Sequence, residues 1–193
     1  MNEKPYISRK EQAQLTKKKI FNTTLLLIKK KGYSKITIRE ICQNAQISIG
    51  TFYLYFTSKD EILLDIFGKI EYKENWKEII DSTQTLEAQI LQLMESFLEN
   101  LTQMFDKELI QEIYRIYLTS DKEENSVKER PFFQTVYSVF ISAGIADANE
   151  LCRKIYIFVR GYIFQWLTYS DYPAEKMKED CMKELGIYLR VQL

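Results

Sequence analysis

The chain has 193 residues, 46% hydrophobic and 28% charged, with no net charge: enough length for a buried core and an ordinary balance for a globular protein. Six glycines and three prolines are few turn-formers for this length, which argues against a β-sandwich or barrel and for an all-α fold of about nine helices on short links. Histidine is absent, and Cys42, Cys152 and Cys181 form no Cys-x-x-Cys pair, so the usual general base, a zinc ribbon and a dithiol redox site lose their support, and no metal or cofactor is expected.

The opening residues, MNEKPYISRKEQ, lack the apolar run of a signal peptide. The nearest thing to a membrane span, Ile155 to Tyr169, is interrupted by Arg160 and Gln165 and falls short of roughly 18 residues. A reducing cytoplasm with no membrane partner is the expected setting, with the cysteines as small apolar filler.

From Arg9 to Lys31 the pattern is helical, with Ile20, Thr24 and Leu27 beside Phe21, Leu25 and Ile28, and Gly32 as the stop. Thr37 and Glu40 have the spacing of a capping box, which predicts a helix to about Asn44 with Ile38, Ile41 and Cys42 inward. Ser48 can cap a short helix from Ile49 to Leu54. Ser58 with Glu61 opens a long helix through Ile62, Leu63, Ile66, Phe67 and Ile70 towards Ile80. Three capped helices on very short links predict a helix-turn-helix. Further helices are expected over Leu86–Phe105, Leu109–Leu118, Phe132–Ala143, Asp147–Ser170 and from Pro173 on, with a charged loop or helix start at Asp121–Arg130. The chain divides into residues 1–57 and 58–193, joined without a flexible linker by the helix that starts at Ser58.

Charge follows the same division. Residues 1–60 hold 12 Lys/Arg against 4 Asp/Glu, a net +8, and the remainder holds 15 against 23, a net −8. A basic head on an acidic body suggests an anionic partner for the head, although lysines such as 17–19 and 29–31 also serve as solvated surface. In Thr37–Phe56 the apolar residues Ile38, Ile41, Ala45, Ile47, Phe52 and Phe56 can form the interior. Around them lie hydroxyls, a cation and Gly50, the groups that hold phosphates and admit a close backbone approach.

Residues 17–67 resemble the N-terminal domain of TetR-family transcription regulators. The shared features are Lys31-Gly32-Tyr33, Thr37-Ile38-Arg39-Glu40-Ile41, Ile47 to Tyr53, Tyr55-Phe56 and Ser58-Lys59-Asp60-Glu61. The resemblance implies a dimer that binds a double-stranded DNA operator, and by the family's habit a repressor. Thr37 would touch phosphate; Ser48, Gly50, Thr51 and Tyr53 would lie on or near the major-groove surface; Tyr55 and Lys59 would hold the DNA backbone. Arg39 is a further candidate that also suits a solvated helix surface, and Tyr53 and Tyr55 also suit packing. Ile49 departs from the polar residue often found there: it could meet a thymine methyl or simply weaken binding.

The second half is rich in aromatics. They suit either a filled core or an apolar pocket for a hydrophobic or aromatic small-molecule effector, and the resemblance implies the pocket. The candidates are Phe97, Tyr114, Tyr117, Phe133, Tyr137, Phe158, Tyr162 and Trp166. The helix 147–170 is apolar on two faces and must be covered on both. The resemblance implies that it joins the last helix in a four-helix dimer interface, for which the candidates are Tyr156, Val159, Ile163, Leu167, Met177, Cys181, Leu185 and Leu189. Effector binding would then move the helix 58–82 and change the spacing of two recognition helices. One alternative is a DNA-binding regulator with no small ligand whose C-terminal domain binds a protein. A helical enzyme or lipid carrier is the remote one, since no nucleophile motif, carboxylate pair or glycine-rich phosphate loop is present.

Overall fold

The computed structural model describes residues 8–73, 75–119 and 131–193, and of residues 69–73 the backbone alone. Asp121–Arg130, the side chain of Ile70 and the first seven residues, on which expectations were placed, lie outside the described residues. Among the described residues there are ten α-helices, one 3-10 turn and no strand. The chain forms two compact units, Met1–Gly68 and Lys69–Leu193.

In the first unit, α1 (Arg9–Lys31) starts at Ser8. Its hydroxyl accepts the Glu11 N–H at 3.2 Å while the Glu11 carboxylate accepts the Ser8 N–H at 2.8 Å. This capping box satisfies two of the orphan donors at the helix start, and Lys29, Lys30 and Lys31 complement the dipole at the other end. Gly32 ends the helix at φ +80°, a conformation that strains any side chain. A 3-10 turn, Tyr33–Lys35, leads to α2 (Ile38–Ala45), α3 (Ile49–Tyr53) and α4 (Lys59–Lys73). Their core is Ile20, Leu27 and Ile28 of α1 with Tyr33, Ile36, Ile41, Cys42, Ala45, Phe52, Phe56, Ile62, Leu63 and Ile66, all buried. Each fully buried Ile, Leu or Phe contributes about 1.5–3 kcal/mol over its exposed state. The first two turns of α4 belong to this core, so the division falls at Gly68/Lys69 rather than at 57/58.

The long helix expected from Ser58 to Ile80 is two helices, α4 and α5 (Trp76–Ile79), which raises the count from about nine to ten. Asn75 leaves helical backbone at φ −80°, ψ 79° before α5. After it, the Asp81 carboxylate accepts the Thr83 N–H at 3.0 Å and its hydroxyl at 2.6 Å, a side-chain turn that competes with helix continuation.

The second unit continues with α6 (Leu86–Met104), α7 (Lys107–Thr119), α8 (Pro131–Ser142), α9 (Ala148–Thr168) and α10 (Ala174–Gln192). Its core joins Ile90, Leu93 and Leu98 to Ile110, Ile113, Phe140, Ile155 and Val159. α10 packs against α6 and α9, with Lys178 bonded to Glu99 at 2.6 Å and Arg190 to Glu87 at 2.8 Å. All three cysteines are free and buried, and burial pushes the Cys152 and Cys181 thiols up to about 12. Among the described residues no helix is long and apolar enough to cross a membrane.

Candidate nucleic-acid interface

The site is built on α2, the turn after it, and α3. Thr37 caps α2 by accepting the Glu40 N–H at 3.2 Å. The capping box is only half formed, because the Glu40 carboxylate is drawn to the Lys31 ammonium of α1 instead of returning to Thr37. Gln46 closes α2 in the left-handed conformation at φ 50°, ψ 50°, its N–H bonded to Cys42 and Gln43 carbonyls. Ser48 then caps α3: its hydroxyl accepts the Thr51 N–H at 2.9 Å and pairs with the Thr51 hydroxyl at 2.8 Å. The two helices are thus capped within three residues of each other, and their relative setting is locked by Phe52, fully buried, with Tyr53 edge-on at 5.4 Å and Phe56 at 6.0 Å.

Burial of Phe52 decides what α3 shows outward. Ser48, Ile49, Gly50, Tyr53 and Leu54 are exposed, and Thr51 is half-buried under its bond to Ser48. A Cβ at Gly50 would meet only the Ser48 Oγ, at 3.7 Å, so the protein's own packing does not require glycine there. Thr37 and Arg39 are exposed at the start of α2, and Tyr55 is half-buried in the link to α4. Eight of the nine residues assigned to DNA therefore lie within one short helical pair and its flanks.

Lys59 is the exception. Its Nζ donates to the Tyr33 carbonyl at 3.0 Å and the Ile36 carbonyl at 3.1 Å and lies 4.1 Å from the Tyr33 ring centroid. The ammonium is turned towards the protein, where it holds the α1–α2 link. The Ser58 cap departs from the expected box in a similar way: Ser58 accepts the Glu61 N–H at 3.1 Å, but the Glu61 carboxylate accepts from Thr57.

Residues 20–66, from the buried Ile20 of α1 to the buried Ile66 of α4, match the family described as bacterial regulatory proteins, tetR family. In its first unit the chain is similar to the TetR family. The chain is 41% identical over 51 residues to the uncharacterized HTH-type transcriptional regulator YuxN of Bacillus subtilis, a stretch covering 26% of this chain. The probable HTH-type transcriptional regulator YttP of the same organism is 28% identical over 125 residues, 55% of this chain. These matches span 18% and 59% of the two relatives' own lengths. The fold is shared with Thermus thermophilus FadR, a TetR-family transcriptional repressor solved with lauroyl-CoA: TM-score 0.70 at 18% identity, over 92% of this chain and 95% of that one.

The residues assigned to a TetR-type pocket are spread over α6, α7, α8 and α9. Phe97 stacks on Phe132 at 4.6 Å beside Trp76, and Phe133 and Trp166 are buried. Tyr114 lies under the Arg160 guanidinium at 5.3 Å, with Tyr117 and Tyr137 half-buried elsewhere on α7 and α8. Phe158 packs with Tyr162 at 5.2 Å and Tyr188 at 6.1 Å on α9 and α10. Tyr162 also lines a groove of about 480 Å³ with Tyr169, Tyr172, Asp171, Asp180 and Glu184, which periodicity could not foresee because the link 169–173 supplies three of the walls.

The interface assignment is corrected by burial. Val159, Ile163, Leu167, Met177, Cys181, Leu185 and Leu189 are enclosed by their own chain, where α10 meets α6 and α9, and Tyr156 is half-buried beneath Arg160. The exposed apolar residues of α9 lie opposite: Ile157 at 55% and Phe164 at 56% exposure, with Gly161 between them and open space above it. Helical period gives both faces; only the packing says which one is inward. Among the described residues no group of three or more Cys, Asp or Glu could hold a metal ion.

Proposed function

We propose that this chain is a transcriptional repressor that binds a two-fold symmetric duplex operator as a homodimer and releases it on binding a hydrophobic small molecule. The DNA reading is carried by one observation: a capped helix pair whose outward surface combines Thr37, Arg39, Ser48, Gly50, Tyr53 and Tyr55 within the first sixty residues, which carry a net charge of +8. Hydroxyls, a guanidinium and a bare backbone are the groups that hold phosphates and admit a groove. The dimer surface that this reading uses is Ile157, Gly161 and Phe164, at i, i+4 and i+7 on α9, with Ile187 and Val191 on α10. The effector reading is supported by the aromatic content of the second unit and by the lauroyl-CoA held by a protein of the same fold.

Selection of duplexes from a random-sequence library by the full-length protein tests the DNA reading. The expected product is an inverted repeat with half-site centres about one helical turn apart, roughly 34–36 Å. Recovery of no sequence, or of an unpaired site, would reject it. Lauroyl-CoA titrated into the complex tests the second part: DNA is released, and by linkage DNA weakens lauroyl-CoA binding by the same factor. A panel of acyl-CoAs and aromatic compounds that neither releases DNA nor raises the melting temperature would remove the effector.

A further inference from the structure

Resting on that DNA reading, we infer that α3 reads its operator chiefly through thymine methyl groups, with Ile49 as the specificity-determining residue. Paired recognition of guanine requires Arg or Lys, and of adenine Asn or Gln. The residues of α3, Ile49-Gly50-Thr51-Phe52-Tyr53, include none of these. Phe52 is fully buried, and the Thr51 hydroxyl is bonded to Ser48. What remains outward is Ile49 at 48% exposure, Tyr53 at 52% and, just after α3, Leu54 at 80%, with the side-chain-free Gly50 among them.

Phe52 is the one buried residue of α3, with Tyr53 edge-on against its ring, and that packing leaves Ile49 about half exposed and Leu54 mostly so. Of the groups a major groove displays, only the thymine C5-methyl is apolar. Ile49 occupies the first position of α3, the end from which a recognition helix reaches base edges, and Tyr53 stands one turn behind it with a hydroxyl suited to phosphate. Within the helix pair, residues 37–54, the side chains able to make paired contacts to guanine or adenine are Arg39, Gln43, Asn44 and Gln46, on α2 or the turn after it. Asn44 is moreover bonded to the Glu40 carbonyl at 2.9 Å.

The test uses the full-length protein and duplexes recovered from a random-sequence library. Each thymine of the recovered half-site is replaced in turn by deoxyuridine, which removes only the methyl. At one or two positions affinity should fall about fourfold, the value of one buried carbon. Ile49→Ala, an exposed substitution whose folding is checked by its melting curve, should bind the thymine and uracil duplexes equally. A selectively bound duplex that tolerates uracil at every position, or a methyl preference that persists in Ile49→Ala, would overturn the inference while leaving the DNA reading intact. Recovery of no duplex would overturn both.

Discussion

The Lys59 ammonium sits 4.1 Å from the centre of the Tyr33 ring and donates 3.0 Å to the carbonyl of the same residue. The Tyr33 hydroxyl in turn donates to Asp60, so the first turn of α4 grips the α1–α2 link from two sides. A lysine at a helix N-terminus opposes the dipole. Here two carbonyls and a ring face offset that, and they hold in place the link that delivers Thr37.

Lys59→Met should therefore act through stability. Loss of hydrogen bonds from a charged donor predicts a destabilisation of about 1–3 kcal/mol. DNA affinity should fall with it, but the slope of log affinity against log salt should stay the same. A lysine on phosphate would reduce that slope by about 0.9. Salt titrations of wild type and variant separate the two roles.

Gly50→Ala should separate folding from binding. The new methyl meets only the Ser48 Oγ at 3.7 Å, and alanine is the better helix former, so unfolding free energy should hold or rise by up to about 1 kcal/mol. Duplex affinity should drop at least tenfold if backbone approaches DNA at this point. Urea melts and anisotropy titrations on the same preparation decide it; unchanged affinity would move the contact surface elsewhere.

Two substitutions in the second unit should have opposite signatures. Leu185→Ala empties a fully buried position and should cost about 2–5 kcal/mol of stability. Phe164→Asp changes an exposed residue, so the folded chain should survive while self-association is lost. Light scattering across a concentration series tells them apart; a dimer unaffected by Phe164→Asp would place the interface on another face.

The Glu99–Lys178 pair ties α6 to α10. The hydrogen bond from Lys178 holds the Glu99 carboxyl below its ordinary value, and the bond to Glu99 raises Lys178. A carboxylate whose folded pKa is depressed adds stability above its unfolded value, about 4.3, and loses it as pH falls through the folded one. With Glu99 41% exposed, solvent screening limits the gain to below about 1 kcal/mol. Glu99→Gln should melt slightly lower than wild type at pH 7, and the gap should close towards pH 3. A gap independent of pH would assign it to packing.

How far the sequence could be read follows from what each signal encodes. Gly32, Thr37, Ser48 and Ser58 mark their helix ends because capping is local chemistry, and Ser8 with Glu11 carries the same signature. Ile20, Ile41 and Phe52 fall inward as their periodicity requires. The break at Asn75 is not legible in the sequence, because Trp76 beyond it finds Phe132, 56 residues away, at 4.9 Å, and the stop after α5 rests on the side-chain turn at Asp81. Lys59 reads from sequence as a surface cation because the carbonyls that hold it lie 23 and 26 residues away. Met177, Cys181, Leu185 and Leu189 form a clear row, but a row cannot say whether its cover is the same chain or another copy.

Equilibrium titration of the full-length protein with a library-recovered duplex, repeated over a range of salt, tests the central claim most directly. The account predicts two chains per duplex and an affinity that falls linearly on log–log axes by about 0.9 per phosphate contacted. Binding should be lost when Thr37 and Tyr53 are both replaced by alanine. No duplex bound at low salt, or binding indifferent to those two replacements, would contradict it.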